Sequence, residues 1–546
     1  MIKRIFIAVL IVVLILPANI LGQVKNVIIM IPDGTPNSML SVARWYKTYK
    51  NGEQGHLAID EYICGMVNTH CSNSPIANSS PAASTYYTGH LTLAGYLSIL
   101  PHTTDRDIIK VKQSDAYKPV ATLFEAAKSK GMTTGLVATC EFPHATPAAA
   151  FTHYYDRGNY DVLSKQMAYS GVDVVIAGGV DVLKNRGLDD VIRSRGYEFI
   201  ENDKRAMLSC CAPRYFSLFN KEDMPYATDR DTTLTPTLAQ MTEKAIKSLS
   251  VGDNGFLLMV EGSKIDWANH DNDIRAGLDD FLDFDAAVEV AIQFARSSGN
   301  TLVLVLPDHG TGGLTLGSRN TDDKYDHLSL KEIFAPIDNI KISSEKMASI
   351  IKNSDNVDLP SLFEHYCGHN LTSSEIDTLN AASDYDNSPL KERNGAPLKR
   401  VITYIINKNL NIAYTTHGHS GDNVFLAVYH PDTAKRLSGL VDNVSIAPYI
   451  TRELGLGQDY LKELSDTLFI PHRLLFAVAD SVKITPIENN GAFLTVKYEK
   501  RGILQIESFT DYVTVNGKKV KMSVPAVYIK ENNTFYLPAS LKELIK

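Results

Sequence analysis

The chain has 546 residues, more than one hydrophobic core usually supports, so a large domain with an appendage is expected. Hydrophobic residues at 44% and charged residues at 21% are those of a globular protein and exclude a fibrous or disordered chain. With 54 Lys and Arg against 62 Asp and Glu, the formal charge of -8 gives no basis for nucleic acid as a specific partner, so an anionic ligand needs a local site.

At the N-terminus, Lys3 and Arg4 precede an apolar run from Ile5 to Leu16, and small or polar residues follow from Pro17 to Gly22. This is a secretory signal pattern over 1–22, with cleavage expected near Gly22 and Gln23. The run is short for a membrane helix and no later stretch is long enough. The expectation is a periplasmic or secreted protein without a membrane span after cleavage. Six cysteines, Cys64, Cys71, Cys140, Cys210, Cys211 and Cys367, lack paired C-x-x-C spacing; an oxidising compartment favours disulfides, with Cys64 to Cys71 the first pair to try.

The mostly apolar run Val24 to Ile31 closes on Pro32-Asp33-Gly34-Thr35. Strands of a parallel sheet covered on both faces read this way, and ligands gather outside their carboxyl ends, where Asp33 stands. A lone Asp there also serves as a helix N-cap. From Pro75 to Gly89 small residues lead into a helix, and Ser79, Ser80 and Ser84 are candidate nucleophiles at its N-terminus, where amide N–H groups and the dipole favour phosphate. A strand from Gly131 to Thr139 is followed by His144 and Thr146, which face the same crevice as Asp33. Arg157 lies about three helical turns beyond Thr146 and points back only if that helix is oriented for it. Asp173 to Gly179 reads as a short strand, and Leu234 to Leu249 as an amphipathic helix.

The strand from Phe256 ends in Glu261, and Asp266 and His270 follow at the four-residue spacing that shares one helical face. Carboxylate oxygen and imidazole nitrogen both bind zinc, at about 2.0 to 2.2 Å. The run from Thr301 repeats the device, ending in Asp308 and His309 and then glycines. A polar insertion follows at about 310–416, helical around Ser344 to Asn353 and Leu398 to Asn407, expected as a lid or oligomer contact. His417 and His419 precede a further strand, and either serves as a ligand. Beyond Ser465 short alternating runs with Asn489-Asn490-Gly491 and Asn516-Gly517 turns read as hairpins. The expected fold is α/β: a central mostly parallel sheet with helices on both faces in 23–464, an inserted helical cap region, and a small β-rich C-terminal domain in 465–546.

Asp33, Ser79, the His144-Ala-Thr146-Pro segment with Arg157, Glu261 with Asp266 and His270, Asp308 with His309, and His419-Ser-Gly421-Asp-Asn-Val424 together resemble the alkaline phosphatase family, from about Val24 to Tyr429. The resemblance implies one zinc on Asp266, His270 and His419 and a second on Asp33, Asp308 and His309. A third metal, usually magnesium, would sit on Asp33, Thr146 and Glu261. It also implies Ser79 as the nucleophile whose alkoxide a metal stabilises, Arg157 as the phosphate clamp, and small-molecule phosphate monoesters as substrates through a phosphoserine intermediate. A homodimer follows by analogy alone. Two other readings stay open: a phosphodiesterase or sulfatase on the same metal core, and a non-catalytic surface-binding module led by the β-rich tail. The chain departs from the family in two places. Asn78 stands before the nucleophile where Asp is common, which would orient Arg157 less firmly. His144 replaces an Asp of some members, and Trp267 follows Asp266 where others carry Lys; an imidazole ligand would shift the third metal from magnesium toward zinc or cobalt.

Overall fold

The computed structural model describes residues 23–354, 356–387, 397–499 and 502–545. The expected signal segment, 1–22, lies outside the described residues. Ten strands form the central sheet: β1 (Asn26–Ile31), β2 (Ile63–Asn68), β3 (Thr133–Glu141), β4 (Val174–Gly178), β5 (Glu198–Glu201), β6 (Tyr215–Phe219), β7 (Phe256–Glu261), β8 (Thr301–Val305), β9 (Val424–Tyr429) and β10 (Gly439–Asp442). Their order across the sheet is β10-β2-β9-β8-β1-β7-β3-β4-β6-β5. Every pairing is parallel except those of β9, which runs antiparallel to β2 and β8.

β1, β7 and β8 are buried along their whole length, which is why they read as continuous apolar runs. Their side chains alternate between two cores: Val27, Ile29 and Ile31 face one, Ile28 and Met30 the other. Helices α1 (Ser38–Asn51) and α5 (Ile274–Ser298) contribute to the Ile28 side, and α2 (Ser79–Thr88) and α3 (Ala145–Phe151) to the Ile29 side. The short α4 (Lys264–His270) links β7 to α5.

Parallel register aligns the strand ends. Ile31 pairs with Glu261, Glu261 with Ala138, and Met30 with Val305, so the segments that follow β1, β3, β7 and β8 leave the sheet at one rim. Because β9 is reversed, its amino-terminal approach, with His419, reaches that same rim.

The expected helix from Leu234 starts instead at Leu238, where Thr237 and Gln240 form a capping box. Pro236 disfavours helical backbone in the residue before it and moves the start downstream. In the insertion, helices at Ser344–Lys352 and Leu398–Asn407 agree with the expected spans. The helix Leu330–Asp338 packs its Phe334 ring against Tyr46 and Tyr49 of α1.

The expected Cys64 to Cys71 disulfide is absent; all six cysteines are free. Cys64 lies in β2 and Cys71 beyond its end, and the four strand steps from Cys64 to Asn68 span about 13 Å, against a disulfide Cα separation of about 4.4–6.8 Å. Cys64 Sγ instead donates to the Leu437 carbonyl.

The C-terminal hairpins form a five-stranded antiparallel sheet from Ser481–Pro486 to Lys518–Lys521, with a three-stranded sheet beside it. Alternate residues Leu494, Val496, Leu504 and Ile506 are buried in the same core as α2 and α3. Arg195 clamps Asp511 through two 2.7 Å hydrogen bonds, the bidentate geometry that makes charge-assisted pairs strong. The β-rich region is therefore packed onto the α/β body rather than tethered to it.

Candidate active site

Just past β1, Asp33 is completely buried, and neither of its carboxylate oxygens has a hydrogen-bond partner. Glu261 Oε1, Asp308 Oδ2 and Thr146 Oγ1 are buried and unpartnered at the same rim. Burying uncompensated carboxylates costs several kcal/mol each, so a cluster of them calls for a cation. His309 Nε2 lies 3.3 Å from Asp308 Oδ2 and 3.6 Å from Asp33 Oδ1. Ligand atoms about 2.0–2.2 Å from a tetrahedral ion lie about 3.3–3.6 Å from one another, so Asp33, Asp308 and His309 fit a single cation. Gly34, at φ 60°, makes room for its neighbour: a Cβ there would meet Asp266 Oδ1 at 2.3 Å.

Asp266 and His270 share a face of α4, and His270 Nε2 sits 3.4 Å from Asp266 Oδ2 and 3.0 Å from His419 Nε2. Two imidazole nitrogens this close need a proton or a cation between them. His270 Nδ1 donates to the His417 carbonyl at 2.6 Å, and His417 Nδ1 bonds the His270 carbonyl at 3.0 Å. That exchange fixes the His270 tautomer and leaves Nε2 free as a donor atom. The two-residue strands Gly310–Thr311 and His419–Ser420 pair antiparallel, which brings the His419 ring against that of His309, tilted by 34° with centroids 4.0 Å apart. Asp266, His309 and His419 offer donor atoms within 4.8 Å of one another, and His270 Nε2 adjoins both Asp266 and His419. Of the two histidines before β9, His419 enters the cluster and His417 supports it.

Ser79 opens α2, and its Oγ lies 3.4 Å from His309 Nε2. Ser80 Oγ is committed to Asn78 Oδ1 and the Gly95 N–H, each at 2.9 Å, and Ser84 Oγ accepts from the Ser98 N–H. Among the three candidate serines, Ser79 alone faces the cation cluster. Its small neighbours are explained by the burial of every residue of α2.

Arg157 is not on the helix that carries Thr146, as expected from three turns of spacing. α3 ends at Phe151 because Thr152 is extended, and a bridge from Tyr154 to Leu97 turns the chain back. The Arg157 N–H then bonds the Gly95 carbonyl at 2.9 Å, and Nη2 donates to His144 Nε2 at 3.2 Å. Arginine cannot accept, so His144 Nε2 is unprotonated. His144 is thus the side chain that orients Arg157, while Asn78 Oδ1 is taken by Ser80. Cys140, His144 and Glu261 form a third group of donor atoms within 4.8 Å of one another.

Burial, reinforced by Asp308, Asp266 and Glu261, drives the Asp33 pKa far up, and burial with Asp308 pushes Glu261 up to about 7. For Asp266, burial acts upward but is overridden by its bond to His270 and the positive fields of His309, His270 and His419, which hold it well below the usual range. Burial and then Arg157 hold His144 at about 3; burial and then His309 do the same for His419. The neutral imidazoles are in the state that metal ligation needs, whereas the crowded Asp33 and Glu261 carboxyls hold protons that a cation has to displace.

A sequence profile described as alkaline phosphatase matches residues 24–456. The chain belongs to the alkaline phosphatase family. Alkaline phosphatases are phosphomonoester hydrolases, and this chain is an enzyme of that class. Alkaline phosphatase 3 of Bacillus subtilis is 32% identical over 446 residues, covering 79% of this chain and 89% of that protein. A cold-active alkaline phosphatase from a psychrophilic Shewanella superposes with TM-score 0.67 at 28% identity, over 79% of this chain and 99% of that one. The fold is also that of the Thermus thermophilus alkaline phosphatase, TM-score 0.70 at 24% identity, over 81% and 95% of the two chains. Two contributors at this alkaline phosphatase site were missed in the sequence: Thr311 Oγ1 donates to Asp266 Oδ1 at 2.6 Å, and Cys140 Sγ donates to Glu261 Oε2 at 3.5 Å. Thr311 was within reach of inspection, because it lies two residues beyond His309 and alternation places both on one side of a short strand.

Proposed function

We propose that this protein hydrolyses phosphate monoesters through a phosphoserine on Ser79, at a site for two zinc ions and a third divalent cation. The observation that carries the reading is the convergence of unpartnered buried oxygens of Asp33, Asp308, Glu261 and Thr146 on one rim, with Ser79 Oγ 3.4 Å from His309. Asp33, Asp308 and His309 would hold one zinc, and Asp266, His270 and His419 the other. Asp33, Thr146 and Glu261 would hold the third ion, with the unpartnered His144 Nδ1 near enough to favour zinc or cobalt over magnesium. When bound, such ions stabilise the attacking and departing oxygens of an in-line phosphoryl transfer and lower the pKa of water.

The chain's own groups supply the rest. The N-terminus of α2 offers backbone N–H groups and a positive dipole end to the phosphate. Arg157 presents a planar fork to two non-bridging oxygens, held there by His144 and the Gly95 carbonyl. Ser79 attacks phosphorus, the ester oxygen leaves as the alcohol, and water then cleaves the phosphoserine to return Ser79 and inorganic phosphate. The N-terminal signal pattern supports export, and the catalytic unit is proposed to occupy 23–464. The test is metal content together with turnover of p-nitrophenyl phosphate by wild type, Ser79→Ala and Ser80→Ala. Loss of turnover only in Ser79→Ala, with cations retained, is expected; an active Ser79→Ala protein refutes the assignment.

A further inference from the structure

We propose that the cavity behind His417 is a second anion subsite that takes another phosphate on the substrate's leaving group, so that bisphosphorylated esters are favoured. This deepens the phosphomonoesterase reading and rests on it. The cavity, of about 630 Å³, lies between the beginning and the end of the insertion, and its charged lining residues are Arg319, Arg400 and Lys408. No carboxylate is among the described residues that line it, although the chain as a whole carries a charge of -8.

The positive charge is answered only in part. Arg319 is exposed and makes no ion pair among the described residues. Arg400 Nε is 3.4 Å from Asp271 Oδ1, but Asp271 Oδ2 is already 2.5 Å from Lys399 Nζ, so one carboxylate serves two cations. Lys408 Nζ is 3.5 Å from Glu375 Oε1 and 4.6 Å above the exposed Tyr404 ring. The arrangement is preorganised: Asn320 Nδ2 bonds the Lys408 and Leu410 carbonyls at 2.8 and 3.0 Å, which ties the Arg319 turn to the end of the Arg400 helix. A concave site lined by Arg319, which has no ion pair among the described residues, and by Arg400, which shares one carboxylate with Lys399, concentrates anions, and a guanidinium fork matches phosphate oxygens.

The cavity also adjoins the chemistry. His417 lines it and exchanges two hydrogen bonds with His270. His417 and His419 are two residues apart, at most about 7 Å, and residues 415–417 are exposed. The loop that carries His417 and His419 thus borders the cavity with its one end and the cation cluster with its other, and it is open to solvent at 415–417.

The probes are adenosine 3′,5′-bisphosphate and adenosine 5′-monophosphate, which differ by one phosphate, titrated into the full-length, metal-loaded Ser79→Ala protein so that ligand is not consumed. The bisphosphate is expected to bind about tenfold more tightly, as one charge-assisted contact provides. Arg319→Glu, and separately Arg400→Gln, are expected to bring the ratio close to one while leaving monophosphate affinity within twofold. Equal affinities in the parent protein, or a preference that survives both substitutions, overturn the subsite. Turnover of p-nitrophenyl phosphate by the protein with Ser79 intact is measured alongside. Absent turnover with a persisting Arg319-dependent preference sinks the phosphomonoesterase reading and leaves the anion subsite standing.

Discussion

Glu261 is the place where charge, burial and cation binding can be separated by experiment. With cations stripped by a chelator, its carboxyl is buried among other carboxylates and its pKa rises from 4.5 to about 7, chiefly by burial and then by Asp308. A carboxyl whose folded-state pKa lies above its unfolded value contributes stability that is complete below about pH 4.5 and is lost as pH rises through about 7. At about 1.4 kcal/mol per unit, the loss is on the order of 3 kcal/mol. The buried neutral His144 and His419 act in the opposite sense over this range, so the quantity to measure is a difference in which they cancel. Denaturant unfolding of stripped wild type and stripped Glu261→Gln is expected to coincide near pH 4, and at pH 8 the variant is expected to be more stable by on the order of 3 kcal/mol. Reloading with zinc and magnesium reverses the order, since the charged carboxylate then has its counter-ion. Coincidence of the two stripped proteins at pH 8, or a wild type that is the more stable there, refutes the reasoning.

Thr311→Val removes the 2.6 Å bond to Asp266 and is expected to weaken zinc retention or turnover by about 10–100-fold, read by dialysis against a competing chelator; an unchanged zinc content counts against a supporting role. Gly34→Ala forces a Cβ to within 2.3 Å of Asp266 Oδ1 at φ 60°, so loss of metal content and turnover is expected, and an active, metal-replete variant shows that Asp266 is free to move. Asn78→Asp keeps the acceptor that Ser80 uses and adds a charge toward Arg157, so inorganic phosphate should inhibit at lower concentration. Unchanged inhibition would show that His144 alone sets the orientation of Arg157.

The strands were readable because each is buried on both faces: the run before Asp33, the run before Glu261 and the run before Asp308 can be apolar only in a covered parallel sheet. The acid or imidazole at each strand end was readable too, since parallel register brings strand ends to one rim whatever the rest of the fold does. The Asp266 to His270 spacing needed only a helical turn.

Other features depended on contacts between segments far apart in the chain. Which of Ser79, Ser80 and Ser84 is free was settled by Gly95 and Ser98, loop residues whose N–H groups occupy the other two hydroxyls. Arg157 returns because a bridge at Leu97 ends the path of α3, and no periodicity encodes that. His419 reaches the rim because β9 runs backwards between β8 and β2, and Cys64 and Cys71 stay apart because a strand extends between them. Local pattern determined the elements and the donor atoms they carry, since period and polarity are properties of neighbours in the chain. Tertiary structure alone decided which donors meet, because direction, register and the occupancy of each hydrogen bond are settled only when distant segments pack.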